Sequence, residues 1–338
     1  LCFPLTTIIT AFANLFGGGG APLFSIYRGQ KEESKAVRIM NTSFTMLCLG
    51  AVILMCFGLF LARPLLVLFG ASADALPYAY PYMMIYLIGT LPSMIAVGMN
   101  PFINAQGYAL IGMSSVAIGA VANLVLDPLF IFVFGLGVEG AAIATVIAQS
   151  FSAVYCFLIL RRIDIVHLTR ADFMPASGMN ARLMKLGIPV VFQNIIIGVG
   201  GLVVQYVING YGFLFVAGFT ATNKLYGLLE MAAISYGYAI VTYVGQNLGA
   251  GKIDRIRKGV RSSMLLSLLT SLIISAAMFL FGKNILSLFI SGEPQQTKEV
   301  LAIAFKYLSI MAAMLWVLYF LYVYRSALQG LGDTLMPM

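Results

Sequence analysis

The chain has 338 residues, of which 61% are hydrophobic and only 9% are charged, and its formal net charge is +8. Soluble domains are typically about 45–50% apolar and about 25% charged, so this chain has too little charge to cover a water-exposed surface. The composition therefore excludes an ordinary soluble protein and predicts an all-α protein with several membrane-spanning helices. Because the positive charge is concentrated in a few loops, it indicates cytoplasmic loops rather than nucleic-acid binding.

Nine stretches are long and apolar enough to cross a bilayer, which takes about 20 residues of helix. The first opens with LCFPLTTIITAFANLF, without an initiator Met or a basic region before the apolar run. We therefore expect no signal peptide, and we expect the chain to be a fragment of a longer protein. In chain order the predicted spans are 1–27, 36–62, 80–105, 109–134, 138–160, 183–208, 213–247, 259–281 and 300–328.

The loops between these spans alternate between basic and nearly neutral. An excess of Lys and Arg marks the cytoplasmic side, so the first helix is predicted to run from outside to inside. The protein is accordingly predicted to be a multi-pass protein of the cell membrane. The basic loops together hold fourteen Lys and Arg residues and comprise 27–38, 161–185 and 251–261. The nearly neutral loops hold two and comprise 70–80, 135–139, 209–212 and 282–298.

A weak internal repeat connects the two halves of the chain. RPLLVLFG (63–70) resembles KNILSLFI (283–290), and INAQGYALIGM (103–113) resembles SALQGLGDTLMPM (326–338), at offsets of 220–223 residues. This offset equals six helices, so both copies keep one orientation, as in transporters whose halves are related by an axis along the membrane normal. The repeat predicts twelve helices in the intact protein, with one missing before this chain and two after it. The predicted division is an amino-terminal lobe, a cytoplasmic linker and a carboxy-terminal lobe, at 1–160, 161–182 and 183–338.

Asp127 is an acid inside the apolar stretch NLVLDPLFIF, and an ionisable residue at membrane depth indicates a functional site. Asn123 lies four residues earlier, on the same helical face. Small residues at 140–144 allow the next helix to approach closely and so bring Thr145 near. At about 1.5 Å per residue, Asp127 and Thr145 both lie roughly 10 Å below the outer end of the hairpin. The three side chains are predicted to bind H⁺ or Na⁺ as coupling ion, without any other cofactor.

Pro128 follows the acid directly and lacks a backbone N–H, so the helix is predicted to kink near residues 124–127 and to act as a hinge. A second interpretation is that Asp127 only caps the helix that restarts after the kink. The partner Asn123 and the depth-matched Thr145 favour the ion site over the cap.

Further polar groups within the spans are candidates for contact with substrate. Lys224 and Glu230 are six residues apart on one helix, and at that spacing they do not pair readily. Lys306 lies near the outer end of its span, where its ammonium can reach the interface. Methionine and tyrosine side chains of the third span could provide an adaptable cavity wall. The predicted cavity residues are Lys224, Glu230, Gln193, Asn194, Met84 and Tyr86.

Several stretches resemble the multidrug and toxin extrusion (MATE) family over the whole chain: FPLTTIITAFANLFGGGGAPLFSIYRGQ, AQG, NLVLDPLFIFVFGLGVEGAAIAT, KLGIP and YVGQNLGAGK. The resemblance covers the second to tenth of twelve helices, and it implies two six-helix lobes, a V-shaped cavity and cation-driven export by alternating access. It also implies an amino-lobe cation site at Asn123, Asp127 and Thr145. The family's additional acid on the first helix would precede this chain. Acids that some members carry on the seventh and tenth helices are absent from 183–208 and from 300–328.

The predicted function is a cation-coupled antiporter that exports cationic or amphipathic organic compounds, acting as a monomer in the bilayer. One alternative is a flippase for lipid-linked precursors from the same superfamily, and another is a non-transporting membrane scaffold or receptor. An enzyme is disfavoured, because the single histidine, His167, lies in a loop and the spans contain no catalytic dyad or metal-binding set.

Overall fold

The computed structural model describes residues 3–68, 74–162, 177–290 and 294–337. Within these ranges the regular structure consists of eleven α-helices and one short π-helix. The α-helices are α1 Phe3–Gly29, α2 Glu33–Leu68, α3 Leu76–Ile88, α4 Thr90–Ala105, α5 Ala109–Pro128, α6 Gly137–Arg162, α7 Ser177–Asn209, α8 Phe213–Gly249, α9 Ile253–Ser287, α10 Pro294–Ala313 and α11 Leu315–Gly330, and the π-helix is Leu129–Val133.

These helices account for the nine predicted spans. Seven helices of the described ranges are individually long and apolar enough to cross a membrane, and nine spans result when the bent pairs α3–α4 and α10–α11 each count as one. The prediction of an all-α, polytopic membrane protein is confirmed.

The bends within the third and ninth spans, 54° and 47°, were not predicted from the sequence. In the third span, Pro92 has no N–H to donate to the carbonyl of Ile88, so α3 ends there and α4 restarts after Gly89. In the ninth span, the hydroxyl of Ser275 on α9 donates to the carbonyl of Ala312 at 2.6 Å, directly before the break. A side chain that occupies a helical carbonyl in this way favours a kink.

The structure divides into two compact units, of which the first contains the residues up to Asn194 together with 332–336. Its core lies where α1 packs against α2 and α4, and where α4 packs against α6. Glycines allow the backbones of α1 and α4 to touch, because a Cβ on Gly17 would overlap the backbone carbonyl of Gly98. Phe24 and Phe102, both fully buried, meet edge to face beside this contact, with 5.6 Å between ring centroids.

The first half of α7 belongs to this first unit, whereas the sequence predicted the division at 161–182. The reason is a second glycine contact, since a Cβ on Gly19 would lie 2.7 Å from the backbone of Gly187 on α7. The Arg182 guanidinium also donates to the Tyr27 hydroxyl at 3.0 Å. Residues 163–176 of the predicted linker lie outside the described residues, and the division into lobes stays a prediction.

The second unit contains residues 195–331. Here α8 packs against α9, α10 and α11 around a core that includes Leu225, Leu308 and Tyr319. A buried hydroxyl ties α8 to α10, because Thr222 donates to the carbonyl of Ala304 at 3.0 Å. In a low-dielectric interior such polar contacts fix which faces of the helices meet.

Candidate ion-binding site

A tight helical hairpin, formed by α5, the π-helix and α6, holds the predicted ion ligands. Gly135 and Gly137 make the turn at φ values of 66° and 53°, in the left-handed region that favours glycine. A Cβ on Gly140 would lie 2.7 Å from the carbonyl oxygen of Phe130, so only glycine permits this approach of α6 to the π-helix. The hairpin therefore brings the last turns of α5 against the first turns of α6.

The structure brings Asn123, Asp127 and Thr145 together. The Asn123 amide donates to Asp127 Oδ1 at 3.0 Å and lies 3.5 Å from Thr145 Oγ1. The Thr145 hydroxyl donates to the carbonyl of Ala141 at 2.9 Å, which fixes its orientation. All three side chains are partly buried. Spacing and depth counting predicted this grouping correctly, while the role of the three residues as ion ligands stays a prediction.

The oxygen atoms of this cluster belong to the Asp127 carboxylate, the Asn123 amide and the Thr145 hydroxyl. Hard cations prefer such oxygen ligands, and a single carboxylate can alternatively take up one proton. The Asn123 bond occupies only Oδ1 of the carboxylate. The geometry can therefore support either protonation or binding of a small cation at Asp127.

The helix runs in α geometry through Asp127 and Pro128, and the irregular part follows as the π-helix Leu129–Val133. The N–H of Leu129 donates to the carbonyl of Leu126, and the N–H of Phe134 donates to the carbonyl of Leu129 at 3.0 Å. The departure from α geometry thus lies just after the range 124–127 that the sequence indicated. Short π-helical turns occur frequently at functional sites. The hinge role of Pro128 stays a prediction.

On the second unit, Glu230 is half-buried and accepts a hydrogen bond from the Tyr322 hydroxyl at 2.6 Å. Lys224 is exposed. Sequence reasoning missed Arg325, whose guanidinium carbon lies 4.2 Å from the centroid of the Tyr322 ring. The signal was available, because Arg325 is a charged residue inside the predicted span 300–328.

The remaining cavity candidates, Tyr86, Met84, Gln193 and Asn194, lie in the first unit. Tyr86 is 8% exposed and stacks on Tyr82 at 6.2 Å between ring centroids, and Met84 packs against the same hydrophobic core. Gln193 is buried and Asn194 half-buried. Their contact with substrate stays a prediction, as it does for Lys224 and Glu230.

Comparison with known proteins finds one matching family profile and several similar proteins. The profile of the MatE family matches residues 1–129 and 189–338. The chain is similar to the probable multidrug resistance protein YpnP of Bacillus subtilis, with 29% identity over 288 residues that cover 85% of this chain and 64% of YpnP. It is also similar to the multidrug export protein MepA of Staphylococcus haemolyticus, with 25% identity over 340 residues that cover 99% of this chain and 74% of MepA.

Among solved structures, a MOP superfamily transporter from Pyrococcus furiosus has a similar fold. The TM-score is 0.91 at 21% sequence identity, over 99% of this chain and 75% of that one. The chain therefore spans about two thirds to three quarters of the length of these relatives.

Proposed function

We propose that this chain, which belongs to the MATE family of multi-pass membrane transporters, acts in a cation-coupled antiporter that exports drugs and other cationic or amphipathic organic compounds. The family consists of secondary transporters rather than enzymes. The names of YpnP and MepA, as a multidrug resistance protein and a multidrug export protein, support this cargo. The observation that carries the coupling is the contact of Asn123, Asp127 and Thr145 within one membrane hairpin.

The coupling mechanism follows from the two charge states of Asp127. With the basic turns in the cytoplasm, the hairpin tip at 134–137 faces outside, and H⁺ or Na⁺ enters from that side. Loading neutralises the carboxylate and weakens its bond from the Asn123 amide, so the packing of α5 on α6 changes. An ion shifts a conformational equilibrium only by its differential affinity for the two states. Stronger ion binding in the state that releases cargo outward would therefore drive export by alternating access.

The same proposal includes two pseudo-symmetric six-helix lobes in the intact protein. The bent pairs α3–α4 and α10–α11 support it, because their breaks at Gly89 and Met314 are 225 residues apart, close to the repeat offset of the sequence. A bend at corresponding positions of two repeats is expected when both derive from one structural unit.

Imposed ion gradients test the transport function. Proteoliposomes that contain the intact protein should move a fluorescent organic cation such as ethidium when an oppositely directed H⁺ or Na⁺ gradient is applied. Sodium is varied at fixed pH, and pH is varied without sodium, so that the two ions are distinguished. Equal dye movement with and without either gradient would contradict the proposal. Movement of a lipid-linked precursor in place of the dye would favour the flippase.

Thr145→Val should weaken coupling without abolishing it. Valine has nearly the same shape but lacks the hydroxyl, so the cluster loses one oxygen while Asp127 remains. Because a neutral hydrogen bond contributes about 1 kcal/mol, the ion concentration for half-maximal efflux should rise by roughly fivefold. The matched control is Ser150→Ala on the same helix, whose hydroxyl also donates to the carbonyl four residues earlier, at 2.7 Å. An equal shift in both variants would argue against a ligand role for Thr145.

A further inference from the structure

We propose that the turn between α8 and α9 binds the head group of an anionic phospholipid of the cytoplasmic leaflet, through Lys252, Arg255 and Lys258. This is an interaction with the membrane itself, and it does not depend on the proposed transport function. The three residues lie within the basic range 251–261, at the cytoplasmic end of α9. All three side chains are exposed.

The α8–α9 turn of the second unit has the same backbone hydrogen bonds as the α1–α2 turn of the first unit. The N–H of Lys252 donates to the carbonyl of Asn247 at 2.8 Å, and the N–H of Glu32 donates to the carbonyl of Tyr27 at 3.0 Å. The residue before each donor has a positive φ, of 69° and 62° respectively. The two turns are therefore equivalent, and α9 residues correspond to the α2 residues that precede them by 220 positions.

The equivalent turns carry different charges. In the first unit Lys35 forms an ion pair with Glu32 at 2.7 Å, and Arg38 follows one turn later. Three basic residues occupy the corresponding positions of the second unit: Lys252, Arg255 and Lys258. Within the ranges that the structure describes, no carboxylate lies within 4.0 Å of any of these three cations, including that of the neighbouring Asp254. The second turn therefore presents a cluster of positive charge without a counterion from the protein.

The charged face of α9 continues into an apolar face. Arg255 and Lys258 are followed by Ser262, Leu265 and Leu269 at spacings of three or four residues, so the five side chains lie on one side of the helix. All five are exposed. A molecule bound to the two cations can therefore extend along the two leucines, from the membrane surface into the hydrocarbon region.

The first unit shows which side of α9 meets lipid. Leu49, the counterpart of Leu269, is 52% exposed, and Leu269 is 49% exposed. Val37, the counterpart of Arg257, is buried against the first unit. At about 100° per residue, Arg257 points roughly 100° or more away from both Arg255 and Lys258. The lipid-facing side of α9 thus carries Arg255 and Lys258, and Arg257 lies on the side that packs in the equivalent helix.

A tyrosine of α8 holds the first turns of α9 in place. The Tyr243 hydroxyl donates to the carbonyl of Arg255 at 3.0 Å. A Cβ on Gly259 would overlap the Tyr243 ring, so only glycine lets the ring lie against the α9 backbone. Because the backbone that carries the cations is already ordered, binding a head group costs less conformational entropy.

The chemistry of this face selects an anionic phospholipid. A guanidinium binds the oxygens of a phosphate on two hydrogen bonds, and a lysine ammonium adds a point charge. The Ser262 hydroxyl, one turn further into the membrane, can donate to the same phosphate or to an ester carbonyl. A choline head group would bring a positive charge towards the three cations. The face therefore favours phosphatidylglycerol, which has a net negative charge, over phosphatidylcholine.

Native mass spectrometry of the purified intact protein tests this preference, with phosphatidylglycerol and phosphatidylcholine of identical acyl chains. Arg255→Gln and Lys258→Gln should each raise the Kd of the tightest-bound phosphatidylglycerol about fivefold, and leave phosphatidylcholine unchanged. Arg257→Gln is the matched control, because it removes one charge from the same turn on a different face. It should change the Kd of phosphatidylglycerol by less than twofold.

Equal weakening by Arg255→Gln and Arg257→Gln would overturn the proposal, because it would show attraction to diffuse positive charge. Equal affinity of the native protein for the two lipids would also overturn it. Competition by glycerol 3-phosphate at the concentration of the lipid would point to a site for soluble anions instead. Arg255→Lys keeps the charge and should retain the preference for phosphatidylglycerol, and its loss in protein of native melting temperature would count against the site. The assay needs no ion gradient, so its result is independent of ion coupling.

Discussion

Asp127→Asn should reduce ion-driven efflux to the level of membranes without the protein. The amide has nearly the same shape as the carboxylate and can keep contact with the Asn123 amide, which lies 3.0 Å from Oδ1 in the native protein. It cannot, however, take up a proton or balance the charge of a bound cation. Because coupling requires a group that changes its charge state, the variant should bind cargo but fail to export it against a gradient. The measurement is dye efflux from energised cells or proteoliposomes, at equal amounts of protein in the membrane.

The matched control for this variant is Glu139→Gln. Glu139 is also an acid of the α5–α6 hairpin, but it is exposed at the first turn of α6. Its replacement should leave efflux within about twofold of the native level, since a surface charge contributes little. Normal efflux by Asp127→Asn, or an equal loss in both variants, would contradict the role of Asp127 in coupling.

Gly17→Ala should destabilise the first unit strongly. A Cβ at this position would overlap the carbonyl oxygen of Gly98 and lie 2.9 Å from its Cα, so the backbones of α1 and α4 must separate. Backbone atoms cannot move aside as a flexible side chain can, and overpacking of this kind typically costs 1–3 kcal/mol. The thermal melting temperature of the purified protein should therefore fall by several degrees, and the amount of folded protein should decrease.

Gly18→Ala provides the control within the same run of four glycines. A Cβ on Gly18 would meet only a side-chain methyl of Val190 at 3.5 Å, which is an ordinary contact. Because alanine is the better helix former by up to about 1 kcal/mol, this variant should melt at the native temperature or slightly above it. Equal destabilisation by the two substitutions would show that the run needs glycine for bending, rather than at single contacts.

The sequence predicted those features that depend on neighbouring residues along the chain. Hydropathy over about 20 residues located all nine spans, because the bilayer requires a continuous apolar helix whatever its neighbours are. The Asn123–Asp127–Thr145 cluster was also predictable, because two of its members are one helical turn apart and the third lies at a matching depth on the next helix, after a short loop. In both cases the helical repeat and a short connection fix the geometry before any tertiary contact forms.

Tertiary structure decided which helix faces meet, and the sequence pattern carried little information about that choice. Glu230 and Tyr322 are 92 residues apart, and their hydrogen bond depends on the register that the glycines of α8 and α11 permit. The first half of α7 joins the first unit for a similar reason, since Gly19 and Gly187 let two backbones touch. A spanning helix is apolar on every side, so its hydropathy does not distinguish the face that packs from the face that meets lipid. Only the packed structure shows which face of each helix contacts its neighbours. It also shows that the Arg325 guanidinium lies over the ring of Tyr322.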